Sequence, residues 1–213
     1  MNHPGSKDCT ARGRLFVVAA PSGAGKTSLV QALLGRRPQL QLSISHTTRK
    51  PRPTEQEGRE YFFVAVDEFH KRVLQLQFLE HAQVFDNHYG TGRAPVEAAL
   101  ASGRSVILEI DWQGARQVRA SLPECVTIFI LPPSRGALER RLRNRKTESD
   151  TAIARRLADA VGDMSHWNEF DYVVVNDDFE RALQDLLRIV DGTGEALRGN
   201  RPALIPLVAE LLA

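Results

Sequence analysis

The sequence has few of the features that mark disulfide-bonded, membrane-spanning or strongly charged proteins. Its 213 residues include two cysteines, Cys9 and Cys125, too few for a disulfide scaffold. Thiols so placed predict a reduced, cytoplasmic protein. No apolar run approaches the roughly 18–20 residues of a membrane span. The net charge is +2 at pH 7, so no global field favours nucleic acid or a membrane surface as a partner.

His/Cys metal spacings and internal repeats are also missing from the sequence. What remains is an ordinary globular composition, with a length that fits one domain with inserted subdomains. Residues 1–13 are polar and contain Gly, Pro and Ser. They lack the apolar centre of a secretory signal, and we expect them to form a disordered N-terminal tail.

Apolar segments rich in β-branched residues recur along the chain and alternate with helical patterns. Several are almost continuously apolar, which is typical of strands buried on both faces of a parallel sheet. Alternation of strands and helices predicts an α/β fold with right-handed crossovers. The predicted strands are Leu15–Ala19, Leu42–Ser45, Val106–Ile110, Val126–Leu131 and Tyr172–Val175.

Two stretches interrupt this alternation. Residues 45–95 are rich in Arg, His, Pro, Tyr and Phe and predict a small mixed α+β insert. Residues 135–166 are helical in pattern and crowded with arginine. Residues 201–213 are expected to form a C-terminal helix or tail.

A glycine-containing loop follows the first predicted strand and precedes a helix. Such a loop can wrap its backbone N–H groups around phosphate oxygens, with the positive end of the helix dipole directed at the same anion. Lys26 would reach the β- and γ-phosphates, and the Thr27 hydroxyl would bind Mg²⁺. The alternative is a turn of small residues that binds nothing. The predicted ATP-binding residues of the loop are Ala20, Pro21, Ser22, Gly23, Ala24, Gly25, Lys26 and Thr27.

The loop departs from the usual phosphate-loop pattern at its first position. Ala20 stands where the pattern has glycine. Alanine is compatible with ordinary β or α dihedral angles, so it fits if the position needs no positive φ.

A second candidate segment, residues 45–53, carries arginines on a loop stiffened by proline. Pro51 and Pro53 disfavour helix just before them and hold Arg49 and Arg52 on a short rigid segment. Planar guanidinium groups held in this way suit bidentate recognition of phosphate. Taken alone, the segment is equally well interpreted as a basic surface loop.

These segments belong to a longer series of motifs that resembles the guanylate kinases. The resemblance runs from about residue 14 to residue 190, with the motifs in order and at the family's spacing. They are Ser45-x-Thr47-Thr48-Arg49, Arg52, Phe78-Leu79-Glu80-His81-Ala82, Tyr89-Gly90-Thr91, Ile110-Asp111-Trp112-Gln113-Gly114, Ile130-Leu131-Pro132-Pro133-Ser134 and Val175-Asn176-Asp177-Asp178.

The resemblance implies a P-loop NTPase-type parallel β-sheet flanked by helices. Residues 14–200 would form one guanylate-kinase-like domain, whose core comprises 14–44, 96–134 and 167–200. Residues 45–95 would form the GMP-binding insert and 135–166 a helical lid. The implied reaction transfers the γ-phosphate of ATP to GMP, or to dGMP, with Mg²⁺ as cofactor.

The resemblance also implies roles for individual residues. Asn176 joins the loop in binding ATP, Thr27 binds Mg²⁺, and Glu109 could do so through water. The implied GMP-binding residues are Ser45, Arg49, Arg52, Tyr61, Glu80, Tyr89, Thr91 and Asp111. The implied catalytic residues are Lys26, Arg49, Arg141, Arg145 and Arg156.

Some of these residues have plainer interpretations. One carboxylate can accept hydrogen bonds from both N1–H and N2–H of guanine, but the sequence alone favours Glu80 as an exposed glutamate at a helix end. Glu109 stands where the family usually has aspartate, and it could simply solvate a strand end. Lys146 and Thr54 replace glycines common in the family.

Spacing separates the arginines of the predicted lid. Glu139 and Arg143 are an i,i+4 pair of opposite charge, which explains Arg143 without a ligand. Arg141 and Arg145 have the same spacing but repel each other, an arrangement easier to understand if they share an anion.

Two other functions stay open at this point. Guanylate-kinase-like domains also occur as protein-interaction modules, although these typically lose the phosphate loop that is present here. A kinase with a different small acceptor is the second alternative, against which Ser45, Glu80 and Thr91 argue. The sequence leaves open whether the chain is a monomer or a homo-oligomer.

Overall fold

The computed structural model describes residues 12–84, 86–143 and 150–213. Residues 1–11 of the predicted tail at residues 1–13, and Arg145 and Lys146 of the predicted lid, lie outside these ranges. The strands are β1 (Leu15–Ala19), β2 (Leu40–Leu42), β3 (His46–Thr47), β4 (Phe62–Phe63), β5 (Phe78–Val84), β6 (Asn87–Gly92), β7 (Ser105–Glu109), β8 (Val126–Leu131) and β9 (Tyr172–Val175). The helices are α1 (Lys26–Arg36), α2 (Val66–Leu74), α3 (Arg93–Ala101), α4 (Trp112–Ser121), α5 (Arg135–Arg143), α6 (Asp150–Met164), α7 (Phe179–Val190) and α8 (Leu204–Leu212).

The central sheet has five parallel strands in the order β2-β7-β1-β8-β9. All five residues of β1 are buried, because helices cover both faces of the sheet. Leu15 and Val17 pack into one apolar cluster with residues of α3 to α6 and α8. Phe16 and Val18 pack into the other with residues of α1 and α7. The continuous apolar run of the first strand is thus explained by alternate residues facing different cores.

The insert forms a second sheet of four strands in the order β4-β3-β6-β5. β5 and β6 are antiparallel, and β5 is one of the two edge strands of the sheet. α2 packs against this sheet through Phe69, which is 1% exposed and lies 4.7 Å from the ring of Phe78 between centroids. The sheet therefore has an aromatic contact of its own, and Leu79 of β5 also joins a core cluster of the central sheet.

The arginine-rich segment contains α5 and the longer α6. Residues Ile153, Ala160 and Met164 of α6 are buried in a cluster that includes Leu204, Val208 and Leu211 of α8. The C-terminal helix thus packs against α6. The C-terminal end of α6 is also held to α4, because Trp112 Nε1 donates a hydrogen bond to Asp163 Oδ1 at 3.1 Å.

One strand lies earlier in the chain than the sequence predicts. The apolar pattern predicts a strand over residues 42–45, whereas the strand in the structure is Leu40–Leu42. Beside β7 the chain makes one more bond, from Ser43 N to Ile107 O at 3.0 Å. It then leaves the central sheet, and His46 already belongs to the second sheet. The apolar pattern continued past the point where the chain changes sheets. Among the described helices, none has the length and apolarity needed to cross a bilayer.

Candidate active site

The loop between β1 and α1 has the geometry of an anion site. Gly23 and Gly25 have positive φ values of 89° and 95°, while Ala20 does not, so alanine fits at the position where the usual pattern has glycine. α1 begins at Lys26, directly after Gly25. The loop lines a cavity of about 190 Å³ at the N-terminus of this helix, where the helix dipole favours a negative charge.

Gly25 is required for two separate reasons. Its φ lies in the region that favours glycine. A Cβ atom there would also lie 2.4 Å from Nδ2 of Asn176. This amide is buried and donates to Ala24 O at 2.7 Å. The side chain of Asn176 therefore holds the backbone of the phosphate loop in place through this hydrogen bond. Asn176 is itself a predicted ATP-binding residue.

Replacing Gly25 with alanine is expected to abolish binding at the loop while the rest of the chain stays folded. The left-handed conformation costs a non-glycine residue about 1–2 kcal/mol, and the new methyl group would push Asn176 away from Ala24. Nucleotide affinity, measured by fluorescent-analogue titration, reports the loss. Gly35→Ala is the matched control, because a Cβ there meets nothing within 4 Å. Unchanged affinity of Gly25→Ala would contradict the assigned geometry.

Lys26 and Thr27 point at the carboxyl end of β7. Lys26 Nζ donates to the carbonyl oxygen of Ile110 at 2.8 Å. The hydroxyl of Thr27 donates to the Glu109 carboxylate. The carboxyl ends of parallel strands are where ligands bind in open α/β sheets. The two residues predicted to hold Mg²⁺ are thus in contact, and their oxygens are the kind that this ion prefers.

Two of the predicted lid arginines reach the phosphate loop. Arg141 donates to the backbone oxygens of Ala24 at 3.3 Å and Asn176 at 2.8 Å. Arg156 Nη2 donates to Ser22 Oγ at 2.5 Å. Arg143 instead pairs with Glu139 at 2.9 Å, as its spacing predicts. The structure therefore separates the arginines that face the loop from one that stabilises its own helix.

A second cavity, of about 210 Å³, lies between the insert and the end of β7. It brings together six of the predicted GMP-binding and metal-binding side chains with Lys26. Lys26 also lines the phosphate-loop cavity, so it stands where the two cavities meet. The lining residues are Lys26, Ser45, Tyr61, Glu80, Ala82, Val84, Tyr89, Glu109, Ile110 and Asp111.

Glu80 lies on β5 and is 3% exposed, so its interpretation as an exposed glutamate at a helix end is wrong. Its Oε1 accepts a hydrogen bond from Thr91 Oγ1 at 2.5 Å, and Ser45 Oγ lies 3.4 Å from the same hydroxyl. Burial raises the pKa of Glu80 to about 7; the hydrogen bond from Thr91 lowers this pKa and the charge of Asp111 raises it further. The carboxyl group is thus held in a dry site with one oxygen already engaged.

A basic cluster lies beside Tyr61 and Tyr89 of this cavity, although the predicted residues Arg49, Arg52 and Thr91 are not among its lining residues. One carboxylate, Glu55, accepts from Arg49 Nη2 and from the backbone N–H of Arg52, each at 2.8 Å. The rings of Tyr61 and Tyr89 lie 5.8 Å apart, with the Arg49 guanidinium 5.5 Å from the Tyr61 centroid. Burial is the main cause that raises the pKa of Tyr61 to about 12. Tyr61 therefore keeps its proton, and its hydroxyl can donate a hydrogen bond to an anion.

Asp111 serves the fold as well as the cavity. Its Oδ1 accepts from the backbone N–H of Gly114 at 2.7 Å and so caps the N-terminus of α4. Such a cap stabilises a helix by about 1 kcal/mol. Any loss of function on replacing Asp111 would therefore combine a binding effect with a structural one.

Arg52 is less constrained than the other predicted residues, because its side chain is 70% exposed. Two residues next to the site, Gly114 and Gln117 of α4, carry no role in the sequence interpretation. The sequence signal for Gly114 is its place in the motif Ile110-Asp111-Trp112-Gln113-Gly114. Inside α4, a glycine lowers stability and usually has a packing reason. Gln117 gave no signal.

The sequence is similar to those of known proteins over nearly the whole chain. The guanylate kinase family model matches residues 12–193. The guanylate kinase of Methylococcus capsulatus is 54% identical over 201 residues, covering 94% of this chain and 98% of the relative. That of Escherichia coli K12 is 51% identical over 205 residues, covering 95% and 99%.

The folds agree as well. The crystal structure of guanylate kinase from Anaplasma phagocytophilum matches with a TM-score of 0.73 at 32% identity, covering 93% of this chain and 95% of that one. The predicted α/β fold of the P-loop NTPase type is confirmed by this match. With its motifs, its fold and more than half of its residues shared with named members, this chain belongs to the guanylate kinase family.

Proposed function

We propose that this chain transfers the γ-phosphate of ATP to GMP, giving ADP and GDP, with dGMP as a second acceptor. The observation that carries the proposal is the position of Lys26, which lines both the phosphate-loop cavity and the cavity that contains Glu80. A donor bound at the loop and an acceptor bound beside Glu80 would place their phosphates on the same lysine. This is the arrangement that direct phosphoryl transfer needs.

On the donor side, the phosphate loop would hold the triphosphate. Backbone N–H groups of residues 23–27 and the Lys26 ammonium would neutralise it. Arg141 and Arg156, which already contact the loop, would add positive charge at the transferring group. Arg145 has the same role by resemblance and lies outside the described residues.

A phosphotransferase of this family uses a divalent metal, and we propose Mg²⁺. Thr27 and Glu109 would hold it, Glu109 through water, and the hydrogen bond between them keeps both oxygens at one place. The ion would neutralise charge on the β- and γ-phosphates. The longer side chain of Glu109 reaches Thr27, so the absence of the family's usual aspartate is compatible with this role.

On the acceptor side, the cavity and the arginines beside it would contact different parts of GMP. Arg49, Arg52, Tyr61 and Tyr89 would hold the phosphate and aim its oxygen at the γ-phosphate. Glu80, with Ser45, Thr91 and Asp111, would hold the base. Adenine presents an acceptor at N1, so it would leave the buried Glu80 carboxylate without its partner.

The reaction needs little general acid–base catalysis from the residues of the site. Phosphoryl transfer is catalysed by alignment of the attacking oxygen and by neutralisation of charge on the moving group. Lys26 and the arginines supply the charge, and the acceptor residues supply the alignment. Closure of α5 and α6 over both nucleotides would exclude water and limit hydrolysis of ATP.

An acceptor panel tests the proposal. ADP release is followed in a coupled assay with Mg-ATP and GMP, dGMP, AMP, UMP, CMP or no acceptor. We expect strong turnover with GMP and dGMP and little with the others. ADP release that is independent of GMP would indicate an ATPase. Binding of ATP without any release would favour an interaction module.

The pH dependence of GMP binding gives a separate prediction. Because the pKa of Glu80 is raised to about 7, its charged form is lost as the pH falls through 7. The KM for GMP should therefore rise between pH 8 and pH 6, since a protonated carboxyl cannot accept both hydrogen bonds of guanine. The phosphate of GMP titrates with a pKa of about 6, so Glu80→Gln is the control that shows its contribution alone. Equal pH profiles for the two proteins would contradict the prediction.

The cellular setting stays a prediction. The two cysteines favour the cytoplasm, and the small net charge gives no reason to expect nucleic acid or a membrane as a partner. Whether the chain is a monomer or a homo-oligomer remains open.

A further inference from the structure

Helix α4 packs directly against the strand that carries Glu80. Gly114, in the first turn of this helix, is buried and faces the Glu80 side chain. A Cβ atom on Gly114 would lie 2.6 Å from Glu80 Oε2 and 3.1 Å from its Cδ. Real Cβ atoms do not approach an oxygen this closely, so any other residue would have to displace the carboxylate.

Gln117 follows three residues later and contacts the same strand. Its Nε2 donates to the carbonyl oxygen of His81 at 2.7 Å, and its Oε1 accepts from the His81 N–H at 3.1 Å. His81 is the neighbour of Glu80 on β5, which is an edge strand of its sheet. The side-chain amide of Gln117 thus supplies the two hydrogen bonds that a further strand would have made at this residue.

We propose that Gly114 and Gln117 are positioning residues for base recognition, acting through Glu80. Gly114 leaves the space that the carboxylate occupies, and Gln117 fixes the strand on which Glu80 stands. The inference rests on the proposed role of Glu80 in reading guanine. By this inference, α4 of the core domain contributes to the selectivity for GMP.

Base recognition should be sensitive to the packing around Glu80, because its carboxylate is closely confined. Thr91 holds Oε1 on one side, Gly114 lies against Oε2 on the other, and the side chain is 3% exposed. With a neighbour at each oxygen, the carboxylate that moves away from Gly114 would be displaced within the cavity that it lines, where the base would lie. Two parallel hydrogen bonds to one base edge tolerate little displacement.

Gly114→Ala is the direct test, and its helical position makes it informative. Alanine has the higher helix propensity, and Gly114 has no positive φ, so the backbone accepts it. We expect the Kd and KM for GMP to rise by about tenfold or more, which corresponds to about 1.4 kcal/mol. The kcat at saturating GMP and the KM for ATP should change by less than about twofold, because uniform binding is what is lost.

Gln117→Ala should give the same split between KM and kcat. Gln117→Glu should restore little of the lost affinity, because a carboxylate accepts from the His81 N–H but cannot donate to its carbonyl. The matched controls are Gly35→Ala, at a helical glycine with open space, and Gln184→Ala, at an exposed glutamine of α7. Both controls should bind GMP as the parent protein does, and thermal melts of all variants exclude unfolding.

A double-mutant cycle with Glu80→Gln decides whether the two residues act through Glu80. If they do, adding Gly114→Ala or Gln117→Ala to Glu80→Gln should weaken GMP binding by much less than it does in the parent. Equal losses in both backgrounds, or unchanged affinity of Gly114→Ala, would overturn the inference. If Glu80→Gln itself leaves GMP affinity unchanged, the base-reading role fails and the inference fails with it. If only Glu80→Gln weakens binding, the proposed function stands and the inference does not.

Discussion

Replacing Lys26 with methionine is expected to lower kcat by about 10²–10³-fold, the loss found when one preorganised charge-stabilising donor is removed from a dry site. Lys26 lines both the donor and the acceptor cavity. Its ammonium is therefore well placed to stay beside the γ-phosphoryl group as it passes from donor to acceptor. Methionine keeps the length and the apolar stem of the side chain but removes its charge.

The fold should tolerate this change. Lys26 Nζ makes one described hydrogen bond, to the carbonyl of Ile110, and Ile110 is a residue of the cavity wall. Steady-state kcat with saturating Mg-ATP and GMP gives the effect, and thermal melting reports the stability. Lys71→Met is the matched control, because this lysine is exposed on α2 of the insert. Turnover near that of the parent protein would remove Lys26 from the mechanism.

Glu80→Gln carries the second large effect, a fall in kcat/KM for GMP of about 10- to 100-fold. Glutamine can accept one hydrogen bond from guanine, but its NH₂ group faces a second donor. Each hydrogen bond to a charged group is worth about 1.5–3 kcal/mol. Discrimination against AMP should shrink at the same time, because the amide can pair with the acceptor at adenine N1.

Stability separates this effect from unfolding. The raised pKa of Glu80 means that its burial favours folding at low pH, and that this contribution is lost as the pH rises through 7. Glu80→Gln should therefore melt no lower than the parent protein at pH 8. Glu210→Gln, at an exposed glutamate of α8, is the control for the change in charge. Discrimination between GMP and AMP that survives in Glu80→Gln would refute the assignment.

Much of the fold follows from local patterns. The run Leu15–Ala19 is a buried central strand because both its faces are covered, and continuous apolarity is typical of that environment. The spacing of Gly25, Lys26 and Thr27 predicts a loop at a helix start, and α1 begins there. The family and the fold class, inferred from the order of motifs, are confirmed.

Features of the site that depend on long-range contacts could not be predicted from the sequence alone. Glu80 is polar and sits beside apolar neighbours, so only its pairing on β5 reveals that it is buried. Asn176 lies 152 positions from the loop oxygen that it binds. Gln117 meets His81 across two elements that no local pattern joins. The roles predicted for the site residues stay predictions, although the structure brings most of them around two adjoining cavities.

The packing of α8 on α6 has a consequence for synthesis on the ribosome. Ile153, Ala160 and Met164 of α6 are covered by a helix whose last buried residue, Leu211, is made 47 residues after Met164. At about 5–20 residues per second, this delay lasts about 2–9 s. Until α8 is made and packs, these apolar residues of α6 lack its cover. Chains that stop before α8 would never gain this cover, and they should be the species that chaperones bind and proteases remove.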